Sequence, residues 1–184
     1  MGNSLLGSRL KDLRVVLAYL STRPDIDARR MGVWGDSHAP ANPPRLVLDE
    51  TPGWQMGPQL QYQAEPLGGL LALFAALYEP RVKAVAIRRG VSDFASLLED
   101  RFAYVPADAI VPGMLDAGDL ADVTGALTPR RLLLEGLVDC RNRTVPGAEL
   151  RKRYEGALKT AAGTLTIRSQ TAAAAFAEWI AEAL

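Results

Sequence analysis

Residues 31–39 read M-G-V-W-G-D-S-H-A, a short apolar run that leads into Gly-x-Ser-x-small. A strand that ends in such a turn can present a serine hydroxyl as a nucleophile for acyl transfer, with small neighbours needed on both sides. Gly35 meets that need and Ala39 stands where a second glycine is common. On this reading Ser37 attacks an acyl carbon, and the backbone N–H of His38 is one oxyanion donor. Asp139, in L-L-L-E-G-L-V-D-C-R-N, is the matching acid. It lies just past a second apolar run and follows the serine in the order serine, acid, histidine. The histidine itself is missing at the expected place, after the last strand, where the chain reads R-S-Q-T. The single histidine, His38, is adjacent to Ser37, and neighbours on a sharp turn point apart, so it is poorly placed as a base.

Each of these residues also has a plainer reading. Ser37 can be a turn serine, Asp139 a loop or helix-capping aspartate before residue 147, and His38 a surface histidine. Asp36 and His38 lack a third ligand at suitable spacing, so no metal is expected, and no cofactor motif is present. Cys140 has no neighbouring histidine and reads as an inert thiol. Trp34 and Trp179 read as core, and Trp54 as a contact for a partner or ligand. Arg151, Lys152 and Arg153 read as a solvated helix face.

The elements that must position these residues follow from periodicity. Leu6, Leu10, Leu13, Leu17 and Leu20 recur at helical spacing, and Pro24 closes that helix. A strand is predicted from Met31 to Trp34, with Gly35–Ser37 as a turn. Residues 38–63 carry Pro40, Pro43, Pro44, Pro52 and Pro58. They form a long loop in which 45–48 could be a short strand. Helices are predicted over 65–78, 91–98, 147–159 and 172–184, and strands over 82–87, 131–138 and 165–168. Residues 102–122 are expected to be a loop with one or two helical turns. This alternation calls for one α/β domain spanning 1–184, with four to five mainly parallel strands and helices on both faces. Sites in such folds gather at the carboxyl ends of the strands.

Composition narrows the function classes. The 184 residues are 48% hydrophobic and 23% charged, with 21 Lys+Arg balanced by 21 Asp+Glu. The zero net charge gives no basic field for nucleic acid or anionic lipid. No apolar run approaches the roughly 18 residues of a membrane span. One cysteine and no recognisable leader fit a reducing, cytoplasmic setting.

The stretch S-T-R-P-D-I-D-A-R-R-M-G-V-W-G-D-S resembles the approach to the nucleophile in the acetyl xylan esterase and dienelactone hydrolase-like members of the α/β-hydrolase superfamily. L-T-P-R-R-L-L-L-E-G-L-V-D is similar to their strand leading to the catalytic acid. P-G-M-L-D-A-G-D-L-A-D-V, at 112–123, is similar to the link before it. The resemblance covers nearly the whole chain but only the second half of that fold. It implies a carboxylic-ester hydrolase with Ser37 as nucleophile and Asp139 as acid, acting on a small ester substrate. No residue matches the catalytic histidine, and the glycine pair expected after the serine is displaced to Gly68 and Gly69. The resemblance therefore implies a hydrolase relative that is inactive alone or dependent on a partner. A further chain or domain would cover the open sheet edge. The alternative is a non-catalytic binding or assembly module on the same scaffold.

Overall fold

The computed structural model describes residues 4–44, 62–100 and 103–184; the predicted 45–48 strand and Trp54 lie outside them. Ser4 opens the first helix, α1 (Leu5–Leu20), by accepting the Gly7 N–H on its hydroxyl at 3.1 Å. Leu6 and Leu17 are buried, with Leu10 and Leu13 packed beside them, as the leucine spacing predicts. The chain then gives β1 (Met31–Asp36), α2 (Leu67–Tyr78), β2 (Val82–Arg88), α3 (Ser96–Glu99), a 3-10 turn (Ala107–Ala109), α4 (Met114–Ala117) and α5 (Leu120–Ala126). It continues with β3 (Arg131–Glu135), α6 (Gly147–Arg153), α7 (Glu155–Thr160), β4 (Leu165–Arg168) and α8 (Ala173–Glu182). Among the described residues no helix is long and apolar enough to cross a membrane.

The four strands form one sheet in the order β1-β2-β3-β4, parallel throughout, so the predicted α/β class is the observed one. Strands added one after another in a single direction by right-handed crossovers place every crossover helix on the same face. That face carries the main core. Val85, Ile87, Leu132, Leu134 and Leu165 pack there against Leu70, Leu73, Phe74, Leu120, Leu150 and Tyr154. The other face is covered by α8, whose Phe176 sits fully buried on Ala86 and Leu133.

Several boundaries differ from the periodicity, each for a local reason. β1 runs on through Gly35 and Asp36, because Asp36 pairs with Arg88 and the Ser37 N–H still donates to the Arg88 carbonyl at 3.1 Å. β3 stops three residues before Val138, because Gly136 turns at φ +59°. The 91–98 helix shrinks to one turn, since the Asp93 carboxylate accepts the Ser96 N–H at 2.7 Å and fixes a turn before it. The 147–159 helix is interrupted at Tyr154, whose hydroxyl reaches across to the Ser92 carbonyl at 2.7 Å. Trp34 is not core: 45% of its surface is exposed on the thinly covered face. Arg151 and Lys152 are exposed as expected, whereas Arg153 is partly buried between Asp93 and Glu149.

One contact fixes where α2 sits. A Cβ placed on Gly35 would lie 2.1 Å from the Gly68 carbonyl oxygen, so β1 and the first turn of α2 meet backbone to backbone. The displaced glycine pair thus packs on the glycine of the serine turn, although a long loop separates them in sequence. Gly35→Ala is expected to lower stability by about 3 kcal/mol, the upper range for forcing volume into a packed site; urea denaturation of the two proteins measures it.

Candidate functional site

All four strands point the same way, so the segments that follow them share one edge of the sheet, as predicted for Ser37 and Asp139. Ser37 directly follows β1 and is 2% exposed. Its backbone is not in the left-handed region, the strained conformation in which a strand-to-helix turn of the Gly-x-Ser-x-small type presents a nucleophilic serine. The non-glycine residues with positive φ among those described are Arg89 (55°) and Asn142 (57°). The backbone N–H of His38, expected as an oxyanion donor, instead donates to Glu65 Oε2 at 3.1 Å, while the residue itself is exposed. Glu65 immediately precedes Pro66 and α2, so the Gly35–Gly68 contact carries this carboxylate to the serine turn.

Asp139 lies on the tight loop after Val138. Its Oδ1 accepts the N–H groups of Arg141 and Arg143, both at 2.9 Å. Its Oδ2 takes the Arg143 guanidinium through Nε at 2.8 Å and a terminal nitrogen at 2.6 Å. Four donors from its own loop therefore satisfy the carboxylate, which leaves it poorly able to orient an imidazole as a triad acid must. Asp139 and Cys140 also line a cavity of about 440 Å³ together with Ser96, Arg143 and Arg153, and Ser37 is not part of that wall. Burial, followed by the Asp139 charge beside it, pushes the Cys140 thiol above its ordinary range. Among the described residues no three His, Cys, Asp or Glu side chains group to hold a metal ion.

Two features of this edge escaped the sequence reading. The first is a pair of buried asparagines that fasten the serine loop to the Asp139 loop. The Asn42 N–H donates to the Asn142 carbonyl at 2.7 Å, and Asn42 Nδ2 donates to the carbonyls of Arg141 and Tyr62, both at 2.9 Å. Asn142 Nδ2 returns to the carbonyls of Pro40 at 2.9 Å and Tyr62 at 3.0 Å. Asn142 tolerates its left-handed backbone as a short polar side chain can, which is the one signal its residue type offered.

The second is a row of alternating charge. Asp36, Arg88, Glu135 and Arg168 are the last residues of β1 to β4, and they are register partners across the whole sheet. Register partners in a parallel sheet project to the same face, here the face of α8. Glu135 has no exposed surface. Its carboxylate takes Arg168 Nε at 2.8 Å, the Thr171 N–H at 3.0 Å and the Thr171 hydroxyl at 2.8 Å, with Arg88 Nε at 3.5 Å. Asp36 closes the row, 3.2 Å from Arg89 and 3.8 Å from Arg88. The sequence offered little signal for this row: of the four predicted strands only 165–168 ends on its charge, because the other predicted ends fall at Trp34, Ile87 and Val138.

Two outcomes are expected. Glu135→Gln leaves Arg88 and Arg168 without their buried counter-charge and should cost about 3 kcal/mol, read by thermal or urea unfolding. The folded protein holds the Cys140 proton more tightly than the unfolded chain does. The thiol's contribution to stability is thus complete below the ordinary thiol range and declines as pH rises through it. Cys140 should react with a disulfide reagent at pH 8 roughly tenfold or more slowly than a free thiol, and at the ordinary rate once the protein is unfolded. Compared with family models, curated proteins and solved structures, this chain matches none.

Proposed function

We propose that this protein is an α/β-hydrolase-like relative of carboxylic-ester hydrolases that does not hydrolyse esters unaided. The relationship rests on the motif resemblance, together with a parallel sheet in which a serine follows one strand and an aspartate follows the strand two places on. The observation that carries the inactivity is the Asp139 carboxylate, saturated by Arg141 and Arg143 of its own loop. The lone histidine, adjacent to the serine, offers no base in its place, and Glu65 occupies the donor that an oxyanion would need. Turnover then requires a base from another domain or chain, with Ser37 attacking the acyl carbon of a small ester. A reducing, cytoplasmic setting accompanies this reading, given one cysteine held as a buried thiol. A non-catalytic binding or assembly module on the same scaffold is the second reading. The observation in its favour is the row of paired charges, which locks the strand ends.

The test is hydrolysis of p-nitrophenyl acetate by the purified chain beside Ser37→Ala, with circular dichroism to confirm that both fold. Equal rates are expected. Turnover that disappears in Ser37→Ala overturns the proposal, because the chain would then hold a working base. Added imidazole separates the two readings. Serine-dependent turnover on adding it marks a hydrolase lacking only its base, and no change in the difference between the two proteins favours the binding module.

A further inference from the structure

We propose that β1 is a self-association edge. Two copies join antiparallel through Met31–Asp36 about a two-fold axis at Val33, which makes one continuous eight-stranded sheet.

Among the described residues β1 pairs with β2 alone, which leaves its other edge unpaired, and the hydrogen-bonding phase of that edge is known. The Ser37 N–H donates to the Arg88 carbonyl, and backbone groups in a parallel strand alternate in direction from residue to residue. Val33, Gly35 and Ser37 therefore direct their amides and carbonyls into the sheet, while Gly32, Trp34 and Asp36 direct theirs outward. Among the described residues none bonds these outward groups. Solitary edges are commonly guarded by lysine, proline or a bulge. M-G-V-W-G-D has neither residue, and the register shift beside Gly32 places the extra residue, Lys83, on β2 rather than on β1.

The strand is complementary to itself in one register. With Val33 on the axis, Gly32 faces Trp34 of the second copy in a hydrogen-bonded pair, and Val33 faces Val33. Arg30 faces Asp36, and Met31 faces Gly35. Trp34 is 45% exposed, and Gly32, which faces it in this register, lies under the Leu184 side chain of its own chain, 3.4 Å from where a Cβ would stand. The second copy's ring therefore meets that leucine as well as the glycine, an apolar contact across the edge. Arg30 is exposed, with its Nε on the Leu184 carbonyl at 3.2 Å, and Asp36, already 3.2 Å from Arg89, lies on the same face of the strand, so each dimer sets two further pairs of opposite charges together. Moving the axis to Gly32 sets Trp34 against Arg30 and leaves Asp36 opposite Ala28. Moving it to Trp34 sets Gly32 against Asp36 and leaves Arg30 opposite His38. Only the Val33 axis satisfies the aromatic–glycine pair and the charge pair together. Zero net charge adds no long-range repulsion between copies. The arrangement is isologous, the interface type of a closed two-fold dimer.

The test measures the mass of the full chain by sedimentation over a dilution series. It is accompanied by Arg30→Asp, Trp34→Lys and amide hydrogen exchange. A mass of twice the single chain is expected, falling to one on dilution. Arg30→Asp, at an exposed position whose Nε donates to the Leu184 carbonyl, sets like charges opposite each other and should weaken the dimer on the order of tenfold, with circular dichroism to confirm that it folds. Trp34→Lys should weaken it further. In the wild type the amides of Gly32, Trp34 and Asp36 should exchange slowly when concentrated and faster on dilution, while those of Val33 and Gly35 stay unchanged. A single-chain mass at every concentration overturns the proposal. So does a dimer that ignores both substitutions while its edge amides exchange freely, because it would then join through another surface. The exchange readout keeps the test decisive even if Trp34→Lys fails to fold.

Discussion

Glu135 is a carboxylate with no contact with water, and a buried charge of that kind is tolerated only when cations and hydrogen bonds replace its hydration. Meeting that demand organises the sheet. Arg88 and Arg168 must come from the strands on either side, which requires β2, β3 and β4 to be parallel and in a register that brings their last residues level. Thr171 must supply an amide and a hydroxyl, which sets the direction in which the chain leaves β4 and enters α8. Arg88 in turn lies over the Phe176 ring at 5.8 Å, so the same charge row anchors the helix that covers this face.

The opposite face is governed by close packing instead. Because the strands are added in one direction, the crossover helices stack on a single side and build one continuous apolar core. The backbone contact of Gly35 with Gly68 holds α2 tight against β1 and brings Glu65 to the serine turn. The face left to α8 is thinly covered, which explains a half-exposed Trp34 tilted against Phe176 with ring centres 4.8 Å apart.

These two constraints meet at the carboxyl edge, where a parallel α/β sheet ordinarily leaves polar groups free for a ligand. Here they are bonded to one another. Glu135 is saturated by its neighbours, Asp139 by its own loop, the His38 amide by Glu65, and the paired asparagines tie the two flanking loops together. An edge bonded this extensively favours a stable scaffold over a reactive centre, although the buried Nε atoms of Arg88 and Arg89 find no hydrogen-bond partner among the described residues. Catalysis needs groups kept poised for a substrate, and such groups carry a cost in folded stability.

Much of this architecture was legible in the chain. Leucine spacing marked α1, apolar runs marked all four strands, and their alternation with helices implied the parallel sheet, because helical and strand periods are local properties of consecutive side chains. The order of Ser37 and Asp139, and the lack of a histidine after the last strand, were equally local and could be read directly. Partners distant in sequence could not. That Asp139 would be claimed by Arg143 rather than left for an imidazole, or that Asp36, Arg88, Glu135 and Arg168 would fall level, depends on register. Register is set by packing and cross-strand pairing, and nothing within a single strand specifies it. The same holds for Trp34, whose apolar type suggests core. How many helices cover each face, a matter of topology alone, decides that it meets water.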